Sequence, residues 1–144
     1  MWPPAGILVF VAFVAGSSAL AGTAPVAVDR AVALFDRVCG ASLPRFEDVD
    51  RALVDAGFTP SGMLAGHDAQ LTTRDAIDGE PVCTLAFTTE ESPRAADRVF
   101  ARLGPLADTQ MGRLTRYRET LLRIEGPSPD RGRDRYLLQF RPEP

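Results

Sequence analysis

Cys39 and Cys83 are the only cysteines in this chain, and each falls on the apolar side of an element whose period can be read. Val28, Val32, Phe35 and Cys39 recur at helical spacing with Ala31 and Val38 beside them, so Asp29 to Cys39 reads as an amphipathic helix that turns Cys39 inward. Cys83, Leu85 and Phe87 alternate within Val82 to Thr88, the period of a strand with one buried face. Joining the two thiols would lay that helix on that sheet. Two cysteines allow one intramolecular pairing, and the compartment decides whether it forms.

The N-terminus bears on the compartment. Ile7 to Ala15 is apolar, Gly16-Ser17-Ser18 follows, and Ala19 and Ala21 give the small-residue pattern of a signal peptidase site. Residues 1–21 are therefore expected to be a signal peptide cleaved after Ala21, leaving 22–144 as a single periplasmic or secreted domain. No Lys or Arg precedes the apolar stretch, so a retained anchor is the alternative; about fifteen apolar residues broken by Gly and Ser are short for a membrane span. A redox role for the cysteines is the rival to a staple. Catalytic dithiols sit close together at a helix N-terminus, whereas Cys39 ends a helix, where a thiolate is disfavoured.

The remaining pattern gives an α+β fold. Gly40 is placed to end the first helix in a left-handed cap and Pro44 to prevent its continuation. A second helix fits Phe46 to Ala56, with Phe46, Val49, Leu53 and Ala56 inward, Glu47, Asp48, Asp50 and Asp55 outward, and Gly57 as the stop. Leu71 to Asp75 and Val82 to Thr88 read as a hairpin. An odd-length connection keeps its apolar face together, with Phe87 opposite Leu71, Leu85 opposite Thr73 and Cys83 opposite Asp75. Ser92-Pro93 begins a third helix that carries Ala96, Val99, Phe100 and Leu103 inward and stops at Gly104-Pro105. Arg113 to Arg118, Leu121 to Glu125 and Tyr136 to Phe140 read as strands. A bulge or tight turn is expected at Arg118-Glu119-Thr120, and Gly126 to Asp134 as a long exposed loop. The expectation is three helices on one face of an antiparallel sheet of about four to five strands, with one disulfide.

Chemistry is sparse. His67 is the only histidine, and His67-Asp68 is the one pair that could serve as general acid or base; an exposed loop histidine is the plainer reading. With both cysteines committed to a bridge, one histidine cannot complete the usual zinc site, and Asp75, Asp78 and Glu80 lack the spacing of a calcium loop, so neither metal nor cofactor is expected. No P-loop, G-x-G-x-x-G or G-x-S-x-G occurs. The formal charge of −3 argues against nucleic acid, yet it is unevenly spread: thirteen acids face six arginines from Asp29 to Asp97, and ten arginines face six acids from Arg98 onward. Arg116 and Arg118 alternate on one strand, and Arg131, Arg133 and Arg135 alternate through the expected loop. Together they could hold an anionic envelope component or a protein partner, or be neutralised by Glu119, Asp130 and Asp134.

The run Phe35-Asp36-Arg37-Val38-Cys39, followed by Pro44, Ala56-Gly57-Phe58 and a lone Cys83 in a strand, resembles a set of small exported proteins of alphaproteobacteria. That resemblance implies an envelope or secreted location and no activity, and it brings no site residues with it. The functional expectation is a non-catalytic binding domain. The alternatives are a small hydrolytic or accessory enzyme using His67-Asp68, and an inhibitor or assembly factor for a protein partner.

Overall fold

The first apolar stripe forms α1, Val28–Phe35, which buries Val28, Ala31, Leu34 and Phe35. The computed structural model describes residues 24–73 and 79–141 and the backbone of 76–77; the expected signal peptide lies outside these residues. No side chain next to α1 caps its start. The Val28 N–H donates instead to the Glu91 carboxylate, which satisfies an orphan donor and places negative charge at the positive end of the helix.

After Phe35 the helix widens into a π turn, Asp36–Gly40, that buries Val38, Cys39 and Gly40 together. The sequence suggested a left-handed cap at Gly40, but Gly40 is not among the left-handed glycines and the turn closes on Ala41. Its missing side chain gives room to Asp36: a Cβ here would stand 2.5 Å from Asp36 Oδ1 and push that carboxylate aside. Helix α2, Val49–Asp55, begins three residues later than its apolar pattern. Phe46 adopts φ +57°, outside the right-handed helical region, and reaches the core from the preceding turn. Gly57, at φ +98°, stops the helix as expected. Helix α3, Pro93–Ala101, has Ser92 as its cap, with Ser92 Oγ accepting from the Ala95 N–H at 3.1 Å.

Eight strands follow in chain order: β1 (Ala69–Thr72), β2 (Ala76–Ile77), β3 (Glu80–Pro81), β4 (Cys83–Thr89), β5 (Ala107–Thr109), β6 (Gly112–Tyr117), β7 (Thr120–Asp130) and β8 (Arg133–Arg141). Six build one antiparallel sheet in the order β1-β4-β8-β7-β6-β5, and β2 and β3 form a separate small hairpin. The sheet is one to two strands wider than expected. The β1/β4 register also differs. Leu71 faces Leu85 and Ala69 faces Phe87, a shift of two residues, because the β2/β3 hairpin occupies the connection. A shift of two preserves the buried face. Asp75 lies outside the described residues, and Cys83 pairs across its other edge with Phe140.

The tight turn expected at Arg118-Glu119 is present, with both residues left-handed at φ +53° and +61°, the geometry that suits a two-residue hairpin. The long loop expected over Gly126 to Asp134 is instead ladder. Strand β7 stays paired with β8 down to Asp130 and Arg133, turning only at Arg131-Gly132, with a bulge between Glu125 and Ser128. The Gly-Pro-Ser composition marks that bulge. Gly126 has φ +119°, and a Cβ on it would come within 2.5 Å of the Arg135 carbonyl oxygen.

Helices and sheet share one core. Cys39 and Cys83, both 0% exposed, are bonded with their Cα atoms 5.8 Å apart and stand 44 positions apart in sequence. Phe140, opposite Cys83, lies 4.5 Å from the Phe35 ring and stacks on Tyr117, while Phe100 of α3 meets Tyr136 edge-on at 5.2 Å. Tyr136 is 1% exposed, and its hydroxyl has no hydrogen-bond partner among the described residues. Burial, reinforced by Asp134 and Asp97, pushes its phenol up to about 12.

Two outcomes follow from this core. Replacing both Cys39 and Cys83 with Ala is expected to cost about 4 kcal/mol by urea denaturation, the loop-closure entropy released to the unfolded chain. Tyr136 favours its neutral form when folded, so its contribution is complete below the unfolded tyrosine value of about 10 and is lost as pH rises through the folded value. Melting temperature should therefore fall between about pH 10 and 12, and Tyr136→Phe should flatten that fall while leaving stability at pH 7 equal or higher.

Candidate functional site on the helix-free sheet face

Alternation along the strands sends Cys83, Leu85, Phe87, Leu122, Ile124, Tyr136, Leu138 and Phe140 to the core. Their neighbours in sequence form the opposite face, and the register arranges them in rows. Arg116, Leu121 and Arg141 stand side by side on β6, β7 and β8. The next row is Leu114, Arg123, Gln139 and Thr84, and the one after it is Glu125, Leu137 and Ala86. Beyond the bulge, Ser128 faces Arg135 and Asp130 faces Arg133.

A hydrogen-bond network fixes the centre of this face. Arg123 Nε donates to the Met111 carbonyl, its Nη2 donates to Glu125 Oε2 at 2.5 Å and its Nη1 to Gln139 Oε1 at 3.5 Å. Gln139 Nε2 donates in turn to Thr84 Oγ1 at 2.9 Å. Arg141 Nη1 reaches Met111 Sδ at 3.7 Å, and Met111 is 46% exposed. Leu114, Leu121, Leu137 and Ala86 are half-buried, while Arg116 and Arg135 are exposed. Among the described residues, Arg116, Arg123, Arg135 and Arg141 share the face of strands β6 to β8 with Glu125, and Arg133 lies at its end with Asp130 opposite and Glu90 beside it. Arg123, Gln139 and Arg141 were not singled out from the sequence. Their signal was the alternation itself, since Leu122, Ile124, Leu138 and Phe140 inward put them outward.

The arginines that the sequence did single out separate into different roles. Arg116 and Arg135 lie on this face. Arg133 Nε stands 3.7 Å from Glu90 Oε1, and Arg131 occupies the β7/β8 turn. Arg118 is turned to the helix side, where Nη2 donates to Asp36 Oδ2 at 2.9 Å and Nε stands 2.7 Å from Oδ1 as an ion pair. The hydrogen bond to Asp36, followed by that to Tyr117, raises the pKa of its guanidinium. Arg118 and Arg131 sit at opposite ends of the eleven-residue β7, roughly 30 Å apart at the rise of a strand, so the two groups do not form one cluster.

His67 and Asp68 also go separate ways. His67 Nδ1 lies 2.9 Å from the Ala65 carbonyl oxygen and Nε2 lies 3.1 Å from Arg30 Nη1. A carbonyl only accepts and a guanidinium only donates, so in this arrangement Nδ1 donates to Ala65 and Nε2 accepts from Arg30. Asp68 Oδ2 accepts from Thr88 Oγ1 at 2.9 Å. Among the described residues, no group of three or more His, Cys, Asp or Glu side chains could hold a metal ion. One cleft beside the face, of about 220 Å³, is lined by Glu125, Ser128, Arg135 and Leu137. A second, of about 240 Å³, includes Phe46, Glu119, Thr120 and Arg141. Both fall below the roughly 300 to 1,000 Å³ of small-molecule pockets, and the arrangement suits contact across a surface.

Compared with known proteins, the chain matches no family model, no curated protein and no solved structure.

The Asp36 clamp on Arg118 is testable through Gly40. Gly40→Ala is expected to lower the melting temperature, because its Cβ takes the place of the Asp36 carboxylate. With Asp36→Ala already present, the same change should be neutral or stabilising by up to about 1 kcal/mol, the gain of alanine over glycine in a helix.

Proposed function

We propose that this protein is an exported, non-catalytic binding domain that works in the periplasm or outside the cell. The observation that carries this is the Cys39–Cys83 bond, 0% exposed at both ends and set between α1 and β4. A disulfide so placed is a structural element, and such bonds persist in oxidising compartments. The small-residue pattern at Ala19 and Ala21 supports the same address. The helix-free face supports a binding role, since guanidinium groups interspersed with half-buried leucines are typical of contact surfaces. For His67 to act as a base, its Nε2 would first have to leave Arg30, which favours binding over hydrolysis. The partner is an anionic envelope component or a protein.

Intact mass of protein recovered from the periplasm, with thiol alkylation before and after reduction under denaturing conditions, tests the proposal. The expected result is a chain beginning at Gly22 that takes up alkylating agent only after reduction. A full-length mass with two free thiols would overturn it.

A further inference from the structure

We infer that Met111 is an oxidation site: a hydroperoxide converts its thioether to the sulfoxide, and Arg141 holds the new oxygen, tying the edge hairpin of β5 and β6 to β8. This is a modification of the chain itself and does not depend on what the domain binds.

Sulfur open to an oxidant is scarce in this protein. Cys39 and Cys83 are consumed by a buried bond, and no free cysteine is present among the described residues. The two methionines among those residues, Met63 and Met111, are 37% and 46% exposed.

Met111 is held at three points. It lies in the turn between β5 and β6, where its N–H donates to Thr109 Oγ1 at 3.1 Å and its carbonyl accepts from Arg123 Nε. Its Sδ stands 3.7 Å from Arg141 Nη1. The Arg141 carbonyl in turn accepts from Thr120 Oγ1 at 3.3 Å, which anchors that end of β8. Strand β5 is the edge of the sheet and pairs with β6, so contacts from β7 and β8 fasten the tip of an edge hairpin.

A thioether is a weak acceptor, so the present contact with Arg141 contributes little. Oxidation changes its character. The Sδ lone pair attacks one oxygen of hydrogen peroxide, the O–O bond breaks, and that oxygen stays on sulfur while the other leaves with both protons as water. Sulfur gives up two electrons and the peroxide takes them. The product is a polar sulfoxide, and beside a guanidinium its oxygen accepts a charge-assisted hydrogen bond. An oxygen one bond from sulfur and about 2.8 Å from nitrogen, with a bent angle at oxygen, fits the existing 3.7 Å separation with little movement.

The experiment treats disulfide-intact protein carrying Met63→Leu with hydrogen peroxide, locates the added oxygen by peptide mass mapping and follows stability. Oxygen should enter at Met111, raise the melting temperature by about 2 °C or more and slow amide exchange in β5 and β6. With Arg141→Leu added, the oxygen should still enter and neither change should appear. Met111→Gln sets an amide oxygen where the sulfoxide oxygen would stand. Without peroxide it should melt higher than Met111→Leu, and that difference should vanish with Arg141→Leu.

No oxygen at Met111 of the folded protein, a melting temperature unchanged or lowered by oxidation there, a rise that survives Arg141→Leu, or Met111→Gln melting no higher than Met111→Leu would each overturn the inference.

Discussion

One covalent bond ties the two layers of this protein together, and its surroundings depend on where it sits. Cys39 belongs to the π turn that ends the first helix, and Cys83 opens the strand β4. Bringing them within bonding reach requires the helix to lie flat on the sheet, which places Phe35 over Phe140 and Phe100 against Tyr136. The widened turn buries three consecutive residues, Val38, Cys39 and Gly40, more than an ordinary helical turn directs to one side. The missing side chain of Gly40 then makes room for Asp36 to hold Arg118. Covalent link, irregular turn and surface ion pair form one local assembly.

Among the described residues the helices lie on one face of the sheet, and side chains finish the other. A ladder of Arg123, Gln139 and Thr84 is a means of doing so without burying an unpaired group. The half-buried leucines stand beside arginines in the same rows, as Leu121 does between Arg116 and Arg141.

The sequence was most informative where one period dominated. Helical spacing from Val28 to Cys39 and alternation from Cys83 to Phe87 were enough to orient both cysteines, and Ser92-Pro93 marked the start of α3 within a residue. It was least informative where a single residue served two purposes. Gly40 has the position of a helix stop, but its role is spatial. The tract Gly126 to Pro129 has the composition of a loop yet lies within a paired strand, because a bulge uses the same residues as a turn. The β1/β4 register could be fixed in parity by the apolar face but not in length, since the Asp-Gly hairpin signal between Ile77 and Glu80 belongs to the second small hairpin rather than to a β1/β4 turn. The arginine face was half legible: Arg116 and Arg135 followed from alternation, but Arg118 and Asp36 are far apart in sequence, and only the tertiary fold joins them.

The strand order has a consequence for how the sheet comes into being. Strand β8 is the last of the eight strands among the described residues, yet it lies between β4 and β7 and pairs with both. Without it, β1 with β4 and β5 with β6 and β7 are two ribbons that no ladder joins, so the finished sheet requires Arg133 to Arg141 to be seated between them. An absent β8 leaves the β4 and β7 edges as the places where an incomplete chain would adhere to another.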